Sequence, residues 1–168
     1  MTTTSTPTIT AKQELIDLIN HDNHTTLTVD DVTFSAPTMV DYQGRNTQVT
    51  VSANPNSSFS GNMNVFYNRL AVSGLGYIGV VSADAITPDE FLAMISTNKG
   101  IDLLAEEFEP FIVPVLEIGT VGQIALVAKP TAIKWYGQTT ADYTFNLPPE
   151  LALLSELVNI TLPSQGYL

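Results

Sequence analysis

Few residues in this chain have the types and spacing that chemistry needs. His21 and His24 lie three apart around Asp22, and two imidazoles one turn apart on a helix end can share a cation. The segment is a polar run that closes a short apolar face, and Thr97 to Ile101, at the corresponding place later in the chain, has no histidine. A solvated helix terminus is expected, and no metal. Asp30-Asp31 and Glu106-Glu107 resemble paired carboxylates for acid–base work. Adjacent side chains point apart, and catalytic pairs need opposed environments, so capping or turn duty is the expectation. Gly74-x-Gly76-x-x-Gly79 has dinucleotide-loop spacing by count. No helix pattern follows directly and no parallel βαβ pattern surrounds it, so it reads as a flexible joint. With no cysteine, thiol catalysis and thiolate metal sites are excluded. No Gly-x-Ser-x-Gly elbow, phosphate-cradling loop or zinc-protease helix occurs. The expectation is a chain with no enzymatic activity, no catalytic residues and no cofactor.

The elements that position these residues recur. Ile9-Thr10-x4-Leu15-x2-Leu18 returns as Ile86-Thr87-x4-Leu92-x2-Ile95, and Leu27-x2-Asp30-Asp31-Val32 as Leu103-x2-Glu106-Glu107-Phe108. Gln48-Val49-Thr50-Val51-x-Ala53-x-Pro55 returns as Gln123-Ile124-Ala125-Leu126-x-Ala128-x-Pro130, and Phe59-Ser60-Gly61 as Trp135-Tyr136-Gly137. The offset stays near about 76 residues, which predicts a tandem duplication of one helix-plus-sheet unit. The expected fold is α+β: two tandem similar units, each a short helix packed on a small, mainly antiparallel β-sheet, in a pseudo-symmetric pair.

Local signals give the boundaries. Residues 1–8 read as a flexible N-terminal arm, 9–71 as the first unit, 72–85 as a Gly-rich joint, 86–147 as the second unit, and 148–168 as a C-terminal helix and tail. Thr10 caps the first helix, whose apolar face is Leu15, Ile16, Leu18 and Ile19. Thr87, Pro88 and Asp89-Glu90 open the second, and Asn98-Lys99-Gly100 closes it. Strand-like alternation covers residues 32–34, 47–53, 63–67, 112–118, 123–128, 134–136 and 143–147, with a turn at Gly44-Arg45-Asn46.

Composition narrows the partners. The 168 residues are 44% hydrophobic, enough for a real core, and six basic against seventeen acidic residues give a net charge of −11. The basic residues stand apart from one another, so no nucleic-acid partner is expected. No apolar run is long enough to span a membrane and the N-terminus lacks a secretory pattern, so the chain is expected to be made in a cytoplasm and to stay off the membrane. Tyr67, Tyr77, Trp135, Tyr136, Tyr143 and Tyr167 offer flat faces for sugar binding or, at strand centres and turns, for core and interface packing. Arg69 has the chemistry to reach a neighbour's carboxylate.

The first unit also resembles a known family. Leu15-x-x-Leu18-Ile19-Asn20-x-Asp22-Asn23-x-Thr25-x-Leu27-Thr28-x-Asp30-Asp31-Val32, then Arg45-Asn46-Thr47-x-Val49-Thr50-Val51 and Phe59-x-Gly61-x3-Val65-x-Tyr67-Asn68-Arg69, look like a small domain of uncharacterised structural proteins of tailed, chiefly large-genome bacteriophages. The resemblance covers residues from about 12 to 70, and the second half lacks both the Asn-Asp-Asn turn and the Tyr-Asn-Arg ending. It implies a non-enzymatic virion component, made in the host cytoplasm, whose partners are copies of itself and other virion proteins. Head decoration, neck or collar, and tail are all open. The expected interface residues are Thr2, Thr3, Thr4, Arg45, Arg69, Trp135 and Tyr136. The alternative is a particle-displayed adhesion or carbohydrate-binding module.

Overall fold

The structure, a computed structural model, describes residues 10–146. The expected arm at 1–8 and the C-terminal helix and tail at 148–168 lie outside them. The fold is α+β, with two α-helices and three small sheets among the described residues. No helix among the described residues is long and apolar enough to cross a membrane.

Helix α1 (Ala11–Asn23) starts where the Thr10 hydroxyl accepts from the Gln13 amide, and ends on His24 in the left-handed conformation, φ 52°. Its buried face is Ala11, Leu15, Ile16 and Ile19. Leu18, expected on that face, is 60% exposed. The sheet beneath α1 is built on β3 (Arg45–Ala53), whose inward Thr47, Val49 and Val51 are buried at period two. Strands β1 (Val32–Phe34) and β2 (Thr38–Tyr42) run antiparallel along one edge of β3, and β4 (Asn62–Tyr67) along the other. The β2–β3 turn is Gln43-Gly44, both at positive φ, as a two-residue hairpin turn requires. The turn expected at 44–46 is therefore shifted, and Arg45-Asn46 already belongs to the strand.

The chain then crosses to a second sheet. Strand β5 (Leu70–Ala71) lies parallel to β8 (Trp135–Tyr136), a short 3-10 turn follows over Val72–Leu75, and β6 (Gly79–Ser82) runs parallel to β9 (Gln138–Phe145). On the far side of β9, β7 (Val121–Val127) pairs antiparallel. Helix α2 (Pro88–Lys99) carries a full capping box, in which Glu90 accepts from the Thr87 amide and Thr87 accepts from the Glu90 amide, and it ends on Gly100. It buries Phe91, Leu92 and Ile95.

Four expectations about this region are corrected. The 72–85 stretch is no flexible joint: Val72, Leu75, Ile78 and Val80 sit in the second core, Val72 at 0% exposure. Glycine-rich composition allows tight turns, and here the apolar residues between the glycines hold the segment down. Residues 112–118 have strand composition but pair with nothing as a strand, and Ile112 and Val115 are 86% and 91% exposed. Strand β8 pairs with β5 rather than completing the second ribbon, and β9 begins earlier than the expected 143.

There are two hydrophobic cores. One holds α1, Val32, Val49, Val51 and the visiting Ile133, and the larger holds α2, β7, β9, Trp135 and the 72–80 segment. The same backbone bonds are made at positions about 76 apart. The Ala53 amide donates to Gly61 O and the Ala128 amide to Gly137 O, both at 2.9 Å, where the two glycines have φ 86° and 76°. The Asn54 amide donates to Asp31 O and the Lys129 amide to Glu107 O, both at 2.8 Å. The Leu27 amide donates to Asn20 Oδ1, and the Leu103 amide to Ser96 Oγ. Helix burial follows the same spacing, with Leu15, Ile16 and Ile19 against Phe91, Leu92 and Ile95. The sequence pairing of Leu15 and Leu18 with Leu92 and Ile95 is thus one residue out of step, because α1 is one residue longer than α2.

Candidate functional site

Two places gather functional-looking side chains: the junction between the halves and a groove on the first half. The junction starts from the ends of β3 and β4. Asn46 donates from its amide to Asn68 Oδ1 at 2.9 Å and from Nδ2 to Arg69 O at 2.9 Å, while its own Oδ1 accepts from the Arg69 amide at 2.8 Å. Arg45-Asn46-Thr47 and Tyr67-Asn68-Arg69, two runs that carry the family resemblance, are thereby one interlocked strand end. This aims Arg69 into the second half, where it is 7% exposed. Its Nε donates to Thr47 Oγ1 at 3.2 Å, Nη1 donates to Ala132 O at 3.2 Å, and the guanidinium carbon lies 5.7 Å from the Tyr136 ring centroid. Carbonyl oxygens, a hydroxyl and a π face hold this charge, and among the described residues no carboxylate is within ion-pair reach.

Facing it, Glu107 is 4% exposed and accepts from the amides of Ile133, Lys134 and Trp135 at 3.0, 2.7 and 3.4 Å. A carboxylate so occupied anchors the loop that supplies these amides. Burial pushes the Tyr67 hydroxyl up to about 12, with Glu107 pushing the same way and Arg69 opposing both. The Tyr67 hydroxyl and the Trp135 indole nitrogen are buried without a hydrogen-bond partner among the described residues. Around this centre, Lys134 Nζ reaches Glu14 at 3.1 Å, the Leu70 amide donates to Lys134 O at 2.8 Å, and the Ala11 amide donates to Glu106 at 3.4 Å.

The groove lies between the end of α1 and the β3–β4 hairpin, with a volume of about 240 Å³. Ile19, Leu27, Val32, Val51, Phe59 and Met63 line it. Its lining is mainly apolar, and among the described residues no titratable side chain enters it, which suits an apolar segment.

The structure separates the residues the sequence nominated. Arg69 and Trp135, expected at an interface with neighbours, are buried within one chain, Arg69 at the junction of the halves and Trp135 in the second core at 1% exposure beside Phe108. The reason is the crossover at residue 70, which brings the two strand ends together. Arg45 is exposed, Tyr136 is half-buried under Arg69, and Thr2, Thr3 and Thr4 lie outside the described residues. His21 is exposed against Asp22 at 3.0 Å, and His24 serves as a left-handed helix cap. Asp31 accepts from the Thr28 amide and hydroxyl and from Ser57 Oγ. The Thr28 hydroxyl, then its amide, then Ser57 hold the Asp31 carboxyl below the usual carboxylate range. This is turn duty, as the sequence suggested. Thr87 does the same for Glu90, chiefly through its amide.

Sequence reasoning missed the exposed apolar residues of the second half: Tyr77, Val81, Ile112, Val115, Ile118 and Val121. Their types alone predicted burial, and only the pairing scheme leaves them outside. No curated protein matches the chain, and no solved structure does. Residues 6–163 match the model of a family of unknown function (DUF7941), and the chain belongs to that family.

Proposed function

We propose that this chain is a non-enzymatic structural subunit that works by assembling in many copies with itself and other proteins. The proposed setting is the virion of a tailed bacteriophage, at the head surface, the neck or the tail. The observation that carries the assembly reading is the apolar surface of the second half. Val121 and Val81 flank Thr144 in one row across the sheet's outer face and are 62% and 58% exposed, and the segment leading to that face adds Ile112, Val115 and Ile118. A stretch this apolar is costly against water and cheap against a neighbour. The virion setting rests on the resemblance carried by residues of about 12 to 70.

We also read the chain as a tandem duplication. Its support is the set of backbone bonds that recur about 76 positions apart, including the glycine turns at Gly61 and Gly137. The carbohydrate-binding alternative has less to stand on, since Trp135 and Tyr143 are both 1% exposed.

The test is quantitative mass spectrometry of purified particles, with electron microscopy of separated heads and tails. Copy numbers on the order of tens to hundreds at a repeating position are expected. Absence from particles overturns the virion setting.

A further inference from the structure

The two halves meet face to back rather than face to face. The first half contributes Glu14, Arg69 and β5, and the second contributes Glu106, the 132–135 loop and β8. Were the halves related by a two-fold, each of these contacts would occur twice. Instead Ile133 plugs the first core, while the residue about 76 positions earlier, Ser57, has no place in the second. A contact of this kind uses two different surfaces, so it leaves one of each unused at the two ends of the pair.

The unused surface on the first half is the groove. In the second half the same place is filled. Groove residues Asn23, Phe59 and Ser60 correspond to Lys99, Trp135 and Tyr136. There Lys99 Nζ donates to Tyr77 O at 2.6 Å, and Leu70-Ala71 pairs with Trp135-Tyr136. Val72, Leu75 and Ile78 are buried behind that pairing. The filler is the segment that leaves the preceding half. It ends as β6 on the outer edge of β9, whereas the outer edge of β4 carries no strand among the described residues.

The segment that leaves the second half has a matching pattern. Leu147, Leu151 and Leu154 stand about 76 positions after Ala71, Leu75 and Ile78. We propose that residues 147–158 of one copy dock in the first-half groove of the next copy, pairing with Phe59-Ser60 and continuing along the open edge of β4, so that copies join head to tail. This deepens the multi-copy reading and rests on it. The bonding is that of added strands: backbone groups give the affinity, and leucines spaced like Ala71, Leu75 and Ile78 choose the groove.

The chain has no cysteine, so introduced ones report cleanly. By analogy with the Ala71–Tyr136 pairing, Leu147 should lie beside Ser60. Full-length Ser60→Cys and mass-tagged Leu147→Cys chains, made separately and mixed under mild oxidation, should form a disulfide heterodimer. Asp17→Cys on exposed helix surface replaces Ser60→Cys in the control, and its yield should be lower by about tenfold or more. Adding Leu151→Asp to the tail chain should lower the heterodimer yield by about tenfold, the expected loss for one buried leucine. A heterodimer no more abundant than the control, or insensitive to Leu151→Asp, overturns the proposal. So does a Ser60→Cys/Leu147→Cys double variant that closes only within one chain, since the tail then fills its own groove. The readout is made on purified chain, so it succeeds or fails independently of whether the chain is found in particles.

Discussion

The two halves hang on the same bonds and differ in how they are finished. In both, a capped helix ends in the left-handed conformation, an acidic residue receives an amide from the following strand's end, and a positive-φ glycine receives the next amide along. In the second half an incoming segment adds Val72, Leu75, Ile78 and Val80 to the core, and the acidic residue is the buried Glu107. In the first, the corresponding space is an open groove, and the acidic residue is Asp31 at the surface of a turn. The lesson is that a shared backbone plan sets where bonds form, while stability and availability to partners depend on what covers the plan.

Truncating equivalent helix positions tests that contrast most strongly. Phe91 packs edge-on to Phe111 and Tyr143 at 5.8 and 6.0 Å, and Phe91→Ala should cost about 4 kcal/mol in urea unfolding. Leu15→Ala should cost about 2.5 kcal/mol, because the smaller side chain sits in the smaller core and leaves a smaller cavity. Equal losses would break the comparison. At the acidic pair, Glu107→Ala leaves several amides in the junction without an acceptor and should cost about 3 kcal/mol. Asp31→Ala should cost distinctly less, since water replaces the lost acceptor. A smaller gap is expected at the caps. Thr87→Ala removes the hydroxyl that accepts from the Glu90 amide and donates to the Glu90 carboxylate and should cost about 1.5 kcal/mol, against about 0.7 kcal/mol for Thr10→Ala, where one bond of 3.2 Å is lost.

pH should resolve the halves by the smallest margin. Tyr67 ionises higher folded than unfolded, so its contribution is complete below about pH 10 and is lost as pH rises toward about 12. Tyr67→Phe should flatten that alkaline slope in thermal unfolding. Asp31 and Glu90 ionise lower folded than unfolded, so their contributions hold above the ordinary carboxylate range and fade as pH falls through it. An Asp31→Asn variant whose acid limb is unchanged would remove Asp31 from that account.

Much of the local plan was legible because it is written in short-range chemistry. Thr10 and Thr87 cap because their hydroxyls reach amides three residues on, and Gly100 ends α2 because a left-handed residue is needed there. The alternation over 47–53 specifies a half-buried strand wherever it lies. Arg69 was the hard case. An arginine following Tyr67-Asn68 reads as surface chemistry, and only the opposing carbonyls of Ala132 and Trp135, more than sixty positions away, make its burial tolerable. Leu18 misled for a related reason: a face defined by four apolar residues is wider than the strip that the sheet covers, and α1 turned Leu18 outward.

The amino-acid sequence by itself determined the helix caps and the inward alternation of β3, since each depends on residues within one or two turns of each other. The parallel pairings β5–β8 and β6–β9, the burial of the 72–80 segment, the groove left open on the first half and the exposure of Ile112, Val115 and Val121 were decided only in three dimensions. A strand's pattern says that it has a face to bury and an edge to pair, but the partner is chosen by which distant segments arrive, and hydrophobic burial has no direction of its own.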